Sequence, residues 1–191
     1  MKNIVIFASG SGTNAENIVR HFRDNTSINI ALILSNKRNA GVLDRADRHN
    51  INAIYFNRTA LYRSSVILDL LKSMSPDLIV LAGFLWKFPR NILGAFPDKV
   101  INIHPALLPK YGGKGMYGMH VHNAVVENRE KESGITIHYV NENYDEGAVI
   151  FQAAIPVSAA DSPEDVARKV HELEYRHFPE VIEKLLLAKT K

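Results

Sequence analysis

Residues 4–15 read Ile4-Val-Ile-Phe-Ala-Ser-Gly-Ser-Gly-Thr-Asn-Ala15, and this stretch decides the fold class. Ile4–Ala8 is a short apolar run of the kind that forms a buried strand. The glycine-containing turn after it leads into an amphipathic stretch that extends to Arg23. A strand, a tight glycine turn and a helix in this order are typical of an open α/β sheet. The opening therefore predicts an α/β fold.

Helix-like and strand-like segments continue to alternate after this opening. Apolar runs predict strands at Ile28–Leu34, Ala53–Phe56, Leu78–Leu81 and Val100–Ile103, and helical periodicity covers Ala40–His49 and Leu61–Met74. Leu78–Leu81 is continuously apolar, as expected for a strand that is covered on both faces. This β-α-β-α order predicts a parallel sheet with helices on both faces.

The pattern changes in the last third of the chain. Gly134–Val140 and Ala148–Ile155 are rich in β-branched residues and are separated by one loop, which predicts an antiparallel pair. Ser162 and Pro163 form a helix start, and the last helix is expected to reach about Ala188. Residues 1–191 thus predict one Rossmann-like domain with a mostly parallel sheet, helices on both faces and an antiparallel C-terminal strand pair.

The composition excludes several kinds of site and partner. The chain has no cysteine, which excludes disulfides, thiolate catalysis and zinc–cysteine sites. A net charge of +3 suits an anionic small substrate, but without a clustered basic stripe it is weak evidence for nucleic acid. No apolar run approaches the roughly 20 residues of a membrane span, and the N-terminus lacks the apolar segment of a signal peptide. We expect a cytoplasmic enzyme with small-molecule substrates, no nucleic acid and no membrane.

The glycine turn after the first strand is a candidate phosphate site. Gly10-Ser-Gly-Thr-Asn-Ala15 matches the G-x-G-x-x-G/A fingerprint of dinucleotide sites. NAD would also need a carboxylate after the second strand, where the chain reads Ser35-Asn-Lys-Arg38, so NAD is disfavoured and NADP stays open. Free backbone N–H groups at a helix start bind phosphate in any case. The alternative is a tight turn without a ligand.

A second group of polar residues follows the strand that begins at Val100. Asn102 and His104 stand in Asn102-Ile-His-Pro-Ala-Leu-Leu-Pro-Lys-Tyr111, and Asp145 follows later in Asn-Tyr-Asp-Glu-Gly. An Asn amide can stabilise an oxyanion, a His can move a proton, and an Asp can hold and charge the His. Because catalytic groups gather beyond the carboxyl ends of parallel strands, these residues predict acyl chemistry. A strand end, a core histidine and an ordinary turn are the alternatives.

Two other segments permit more than one interpretation. Tyr111–Gly118 contains four glycines, so it predicts a pliable loop that either closes over a substrate or is merely mobile. His120 and His122 lack nearby carboxylates and are interpreted as solvated or packed rather than as metal ligands. His138 is interpreted as a half-buried strand histidine. We predict no metal site.

The motifs above resemble those of a known enzyme family. The Asn-Ile-His-Pro-x-Leu-Leu-Pro-Lys-Tyr run, Ala82-Gly-Phe84, Ser35-Asn-Lys37 and the Ser-Gly-x-Gly-Thr-Asn opening are similar, in order and spacing, to those of phosphoribosylglycinamide formyltransferases. These enzymes belong to the folate-dependent formyltransferase superfamily. The resemblance implies formyl transfer from 10-formyltetrahydrofolate to the amine of N1-(5-phospho-D-ribosyl)glycinamide in purine biosynthesis. It also implies a phosphate-binding N-terminal half and a folate-binding, catalytic C-terminal half.

The resemblance further implies roles for individual residues. Asn102, His104 and Asp145 match the catalytic trio. The positions that match the glycinamide ribonucleotide site are Gly12, Thr13, Asn14 and Glu174. The positions that match the folate pocket are Leu85, Trp86, Lys87, Phe88, Asn102, Asn141, Glu142, Asn143, Tyr144 and Asp145. In this interpretation Asn102 donates to the oxyanion, protonated His104 relays a proton, and Asp145 raises the pKa of His104.

Three rival functions share parts of this signature. A methionyl-tRNA formyltransferase normally adds an RNA-binding domain, for which 191 residues leave no room. A formyltetrahydrofolate hydrolase usually adds an N-terminal regulatory domain, whereas this sequence starts directly at a strand. A non-enzymatic nucleotide-binding module would need only Gly10–Asn14, and Asn102, His104 and Asp145 would then have no functional role. The sequence does not fix the oligomeric state, and a weak homodimer is one state that it allows.

Overall fold

A seven-stranded sheet runs through the computed structural model, which describes residues 1–188. Its strands are β1 (Lys2–Ala8), β2 (Ile28–Ser35), β3 (Ala53–Tyr55), β4 (Leu78–Leu81), β5 (Val100–His104), β6 (Glu132–Tyr139) and β7 (Val149–Pro156). The helices are α1 (Thr13–His21), α2 (Gly41–Arg48), α3 (Arg58–Tyr62), α4 (Val66–Met74), α5 (Arg90–Ala95), α6 (Met119–Glu127) and α7 (Pro163–Leu187). The last three residues of the expected domain, 189–191, lie outside the described residues.

The strand order is β3-β2-β1-β4-β5-β6-β7. The first five strands pair in parallel, whereas β6 is antiparallel to both β5 and β7. The predicted fold class is therefore confirmed, with one more antiparallel pairing than the sequence indicated. The chain first builds outward from β1 to β3 and then returns to β4 on the other side of β1. This reversal opens a crevice at the carboxyl ends of β1 and β4, where open α/β sheets bind ligands.

Helices cover both faces of the sheet. In β1, Ile4 and Ile6 pack into one core with α1, α2, α6 and α7. Val5 and Phe7 point the opposite way and pack with α3, α4 and α5. All four side chains are fully buried. Because neither face meets water, these strands are continuously apolar in sequence rather than alternating.

The helices differ from the prediction in three places. The single helix expected over Leu61–Met74 is replaced by two helices, α3 and α4. Asn57 caps the start of α3 by accepting a hydrogen bond from the Ala60 amide, and α3 ends at Tyr62. The sequence analysis did not predict α5 or α6. The start of α7 is confirmed, since the Ser162 hydroxyl accepts from the amide of Asp165. None of the helices in residues 1–188 is both long and apolar enough to cross a membrane.

Candidate active site

A cavity of about 610 Å³ lies over the carboxyl ends of β1, β4 and β5. Its walls include the Gly10–Asn14 turn, the Ala82–Leu85 segment and the Gly113–Met119 segment. The end of β5 contributes Asn102–Pro105, and helices α6 and α7 close one side. The candidate phosphate turn and the polar residues after β5 therefore open into one space.

The turn before α1 depends on glycine at position 12. Gly12 has φ +79°, and a Cβ there would lie 2.4 Å from the Cβ of Val42 in α2. Any side chain would collide with that helix, so the sharp turn is restricted to glycine. The first N–H groups of α1 have no carbonyl partner within the helix and lie at the cavity wall. This end of the cavity can bind an anion.

Ser9 connects this turn to the segment after β4. Its backbone N–H donates to the carbonyl of Gly83 at 3.0 Å, and its hydroxyl accepts from the Leu85 N–H at 2.9 Å. The side chain is buried. Ser9 thus holds the Ala82–Leu85 segment next to the candidate phosphate turn.

Asn102, His104, His138 and Asp145 form a polar cluster at the end of β5, which we call the β5 cluster. Asn102 and His104 are two residues apart in a strand and share a face, and the β6 register sets His138 opposite Asn102. Nδ2 of Asn102 lies 3.1 Å from Nε2 of His138 and 3.5 Å from Oδ1 of Asp145. Oδ2 of Asp145 lies 3.6 Å from Nδ1 of His104. The structure brings the predicted trio together and adds His138.

Backbone contacts fix the orientation of both histidine rings. Nδ1 of His138 lies 2.9 Å from the carbonyl of Tyr139, so it donates there and Nε2 is free to accept from Asn102. Nε2 of His104 lies 2.7 Å from the carbonyl of Tyr111 and donates to it. Nδ1 of His104 is then the atom that can gain or lose a proton, and it faces Asp145.

The pKa of His104 differs from the expectation. Burial lowers it below its usual 6.5, and this effect exceeds the opposite effect of the Asp145 carboxylate. Asp145 does act in the predicted direction, but the net shift is downward because the ring is only 4% exposed. Burial alone would raise the pKa of Asp145, yet its contacts with His138, His104 and the Gly113 amide lower it. The resting pair is a neutral imidazole beside a carboxylate.

Asn14, His122, His171 and Glu174 form a second polar cluster, which we call the α7 cluster. Glu174 is 4% exposed, and its Oε2 accepts from Nδ2 of Asn14 at 2.9 Å and lies 2.8 Å from Nδ1 of His171. This contact with Glu174 raises the pKa of His171, despite the opposing effect of burial. Burial, and next the charge of His171, lower the pKa of His122 to about 4.

The sequence analysis identified only half of the α7 cluster. Asn14 and Glu174 were candidates, whereas His171 was not considered and His122 was interpreted as solvated or packed. His122 is indeed packed, at 2% exposure, but it lines the cavity. The preceding His120 is exposed and does not line it. Within residues 1–188, no group of three His, Asp or Glu side chains is arranged to hold a metal ion.

The predicted folate positions divide into two groups. Leu85, Asn102, Tyr144 and Asp145 line the cavity, whereas Trp86, Lys87, Phe88, Asn141, Glu142 and Asn143 lie beyond its walls. Phe88 is buried in the core with α3 to α5, and the Arg58 guanidinium stacks on Trp86 at 4.7 Å. Glu142 pairs with Arg90, the first residue of α5, which follows the Leu85–Phe88 segment in sequence. Folate binding by this second group stays a prediction.

Comparison with known proteins identifies relatives over the whole described fold. The formyl transferase family model matches residues 2–182. The phosphoribosylglycinamide formyltransferase of Bacillus subtilis is 35% identical over 97% of this chain and 95% of that protein. The chloroplastic phosphoribosylglycinamide formyltransferase of Arabidopsis thaliana is 38% identical over 95% of this chain, which spans 64% of the plant protein, slightly less than two thirds.

A solved structure agrees with these sequence matches. The crystal structure of glycinamide ribonucleotide transformylase 1 from Symbiobacterium toebii superimposes with a TM-score of 0.89 at 31% identity. The match covers 99% of this chain and 89% of that one. The resemblance inferred from the motifs is confirmed, and the chain belongs to the formyl transferase family.

Proposed function

We propose that this chain transfers a formyl group from 10-formyltetrahydrofolate to the amine of N1-(5-phospho-D-ribosyl)glycinamide, in purine biosynthesis. The products are the N2-formyl compound and tetrahydrofolate. The observation that carries the proposal is a single cavity that joins the α1 N-terminus to Asn102, His104 and Asp145. Membership of the formyl transferase family supports the reaction type, and the names of the relatives support the acceptor.

The two ends of the cavity suit the two substrates. Gly12, Thr13 and Asn14 would bind the acceptor phosphate through the free N–H groups of α1, and Glu174 would contact the acceptor from α7. The segments Leu85–Phe88 and Asn141–Asp145 would bind the folate. Leu85 and Tyr144, which line the cavity, support this assignment. The phosphate half of the domain thus precedes the folate-binding and catalytic half in sequence.

Asn102 and His104 can perform the acyl chemistry without an enzyme-bound acyl group. The donor supplies a formyl group that is already activated. One N–H of Asn102 is directed at His138, whereas the other meets Asp145 only at 3.5 Å, the limit of a hydrogen bond. This loosely held N–H would donate to the formyl oxygen as it becomes negative. Nδ1 of His104 would take the proton of the attacking amine and return it to the departing folate nitrogen, with Asp145 facing the imidazolium.

A folate absorbance assay tests the proposal against its rivals. The purified protein is mixed with 10-formyltetrahydrofolate, with and without N1-(5-phospho-D-ribosyl)glycinamide. Release of tetrahydrofolate that depends on the acceptor is the expected result. Release without the acceptor would indicate a hydrolase instead, and no release under either condition would indicate a binding module.

We also infer that the reaction needs no metal, nucleic acid or membrane, that the protein is cytoplasmic and that any homodimer is weak. The modest net charge of +3 and the enzymatic family support small-molecule substrates. Activity that persists in a metal chelator is one expected result. The other is a sedimentation coefficient that stays at the monomer value in dilute solution and rises only at high protein concentration.

A further inference from the structure

Two buried polar atoms of the α7 cluster have no hydrogen-bond partner. They are Oδ1 of Asn14 and Nδ1 of His122, and neither finds a donor or acceptor anywhere in the described chain. An unpaired buried polar atom is unfavourable, so folded proteins rarely keep one without a reason. Both residues line the cavity. A bound molecule would supply the missing partners.

The chemistry of the two atoms specifies what that molecule must bring. Nδ2 of Asn14 is engaged by the Glu174 carboxylate, so the free atom of Asn14 is a carbonyl oxygen, which only accepts. His122 is neutral near pH 7, because burial and the adjacent His171 hold its pKa at about 4. A neutral imidazole keeps one nitrogen with a free lone pair, and we assign that lone pair to Nδ1 because an N–H there would have no acceptor in the described chain. Together with Glu174, the cluster presents acceptors that call for N–H or O–H groups.

His122 lies between the two ends of the cavity. The charges of His171, Glu174 and His104 all act on it, and its ring centroid is 6.5 Å from that of His171. An acceptor with its phosphate at Gly12 and its amine near His104 must pass through this middle section. The part of N1-(5-phospho-D-ribosyl)glycinamide between those groups is the amide that joins the sugar to the glycyl amine. Its N–H is a donor of the kind that His122 lacks.

We propose that His122 accepts a hydrogen bond from the amide N–H of the acceptor and so directs the glycyl amine toward the formyl donor. This inference rests on the proposed function, because it requires that acceptor. His122 is then a residue for binding and positioning, and it distinguishes glycinamide from phosphorylated sugars without the amide. It does not exchange a proton with the substrate.

Steady-state kinetics with both substrates tests this role. His122→Phe keeps a ring in the buried site and removes both nitrogens, so the KM for the acceptor should rise about tenfold, the equivalent of one lost hydrogen bond. The KM for the folate donor and the melting temperature should change little. His122→Asn should recover most of the acceptor affinity, because its carboxamide oxygen can accept the same N–H. The control is His120→Phe, at an exposed position on the same helix outside the cavity.

Three results would overturn the inference. The first is an acceptor KM for His122→Phe that equals that of the wild type. The second is a parallel rise in both KM values with a lower melting temperature and no recovery in His122→Asn, which would mean that the ring only packs. The third is a fall in kcat at unchanged KM, with an altered pH profile of kcat, which would mean that His122 transfers a proton in the reaction. Absence of acceptor-dependent activity in the wild type would refute the proposed function itself. That result is distinct from the three above, which concern only the variants of His122. If the Phe variant does not fold, His122→Leu takes its place.

Discussion

The β5 cluster and the α7 cluster contain the same residue types: one asparagine, two histidines and one carboxylate. In the β5 cluster, no buried side-chain polar atom lacks a partner within residues 1–188, whereas the α7 cluster has two such atoms. The contacts of the two carboxylates differ as well. Asp145 faces both histidines of its cluster, whereas Glu174, of its two histidines, is hydrogen-bonded only to His171 and not to His122.

The two clusters can therefore perform different roles within one cavity. A cluster whose buried polar atoms all have partners before substrate arrives holds its dipoles in place, and stabilisation of a developing charge requires such fixed dipoles. A cluster with unpaired acceptors gains free energy only when a ligand pairs them, which is what specific binding requires. In the proposed reaction, therefore, changes in the β5 cluster should act on kcat and changes in the α7 cluster on the KM for the acceptor.

The largest effect is expected from Asn102→Ala. Loss of one oxyanion donor should reduce kcat about a hundredfold to a thousandfold, with both KM values and the melting temperature nearly unchanged. Stopped-flow and steady-state measurements of tetrahydrofolate release would report this. Asn123→Ala, at an exposed position on α6, is the matched control. Near-normal turnover in Asn102→Ala would remove Asn102 from the reaction and with it the distinction between the clusters.

A smaller effect is expected from Glu174→Gln. The variant keeps the shape of the side chain but loses a charge that holds both Asn14 and His171, and hydrogen bonds to charged groups contribute about 1.5–3 kcal/mol. The kcat/KM for the acceptor should fall about 10- to 100-fold, because the loss appears in acceptor binding. Glu172→Gln, on an exposed position of the same helix, should behave like the wild type. A fall in kcat at unchanged acceptor KM would instead assign Glu174 to the chemical step.

The β5 cluster was largely predictable from the sequence. Asn102 and His104 share a strand face by their spacing of two residues, and strand β5 is evident as an apolar run. Asp145 was a candidate because of its residue type, and the resemblance supported it, but no spacing rule could place that loop residue beside the strand. The neutral state of His104 was not predictable, because it depends on burial, and residue types give no measure of that.

The α7 cluster was only partly predictable. Its members come from α1, α6 and α7, and Asn14 and Glu174 are 160 residues apart. Helical periodicity can reveal the buried face of a helix, but not which helix or cavity that face meets. His122 illustrates this limit, since a histidine beside His120 has the same sequence signal whether it faces solvent or a binding site.

The charge of His171 gives a weaker, pH-dependent prediction. Its pKa is raised by Glu174, so the imidazolium persists to a higher pH than in a free histidine and is lost as the pH rises through that raised value. A phosphorylated acceptor should therefore bind more weakly at alkaline pH, by a factor of about three, as expected for a partly exposed charge. His171→Gln should abolish this change relative to the wild type. An identical pH profile of the acceptor KM in both proteins would indicate that His171 does not contact the acceptor.

The smallest expected effect is a shift in the pKa of His104, which can be measured by titration without substrate. Burial holds the pKa of His104 below 6.5, and the Asp145 carboxylate opposes that shift, so Asp145→Asn should lower the pKa of His104 further. Asn is a suitable replacement because position 145 has φ +56°, which Asn tolerates. The ring carbon shifts of His104, followed by NMR against pH, would report both midpoints, with Asp161→Asn as a control. A wild-type midpoint above 6.5 would mean that Asp145 outweighs burial and that His104 rests as an imidazolium. The β5 cluster would then hold its proton before the acceptor arrives, and His104 would have to act first as an acid.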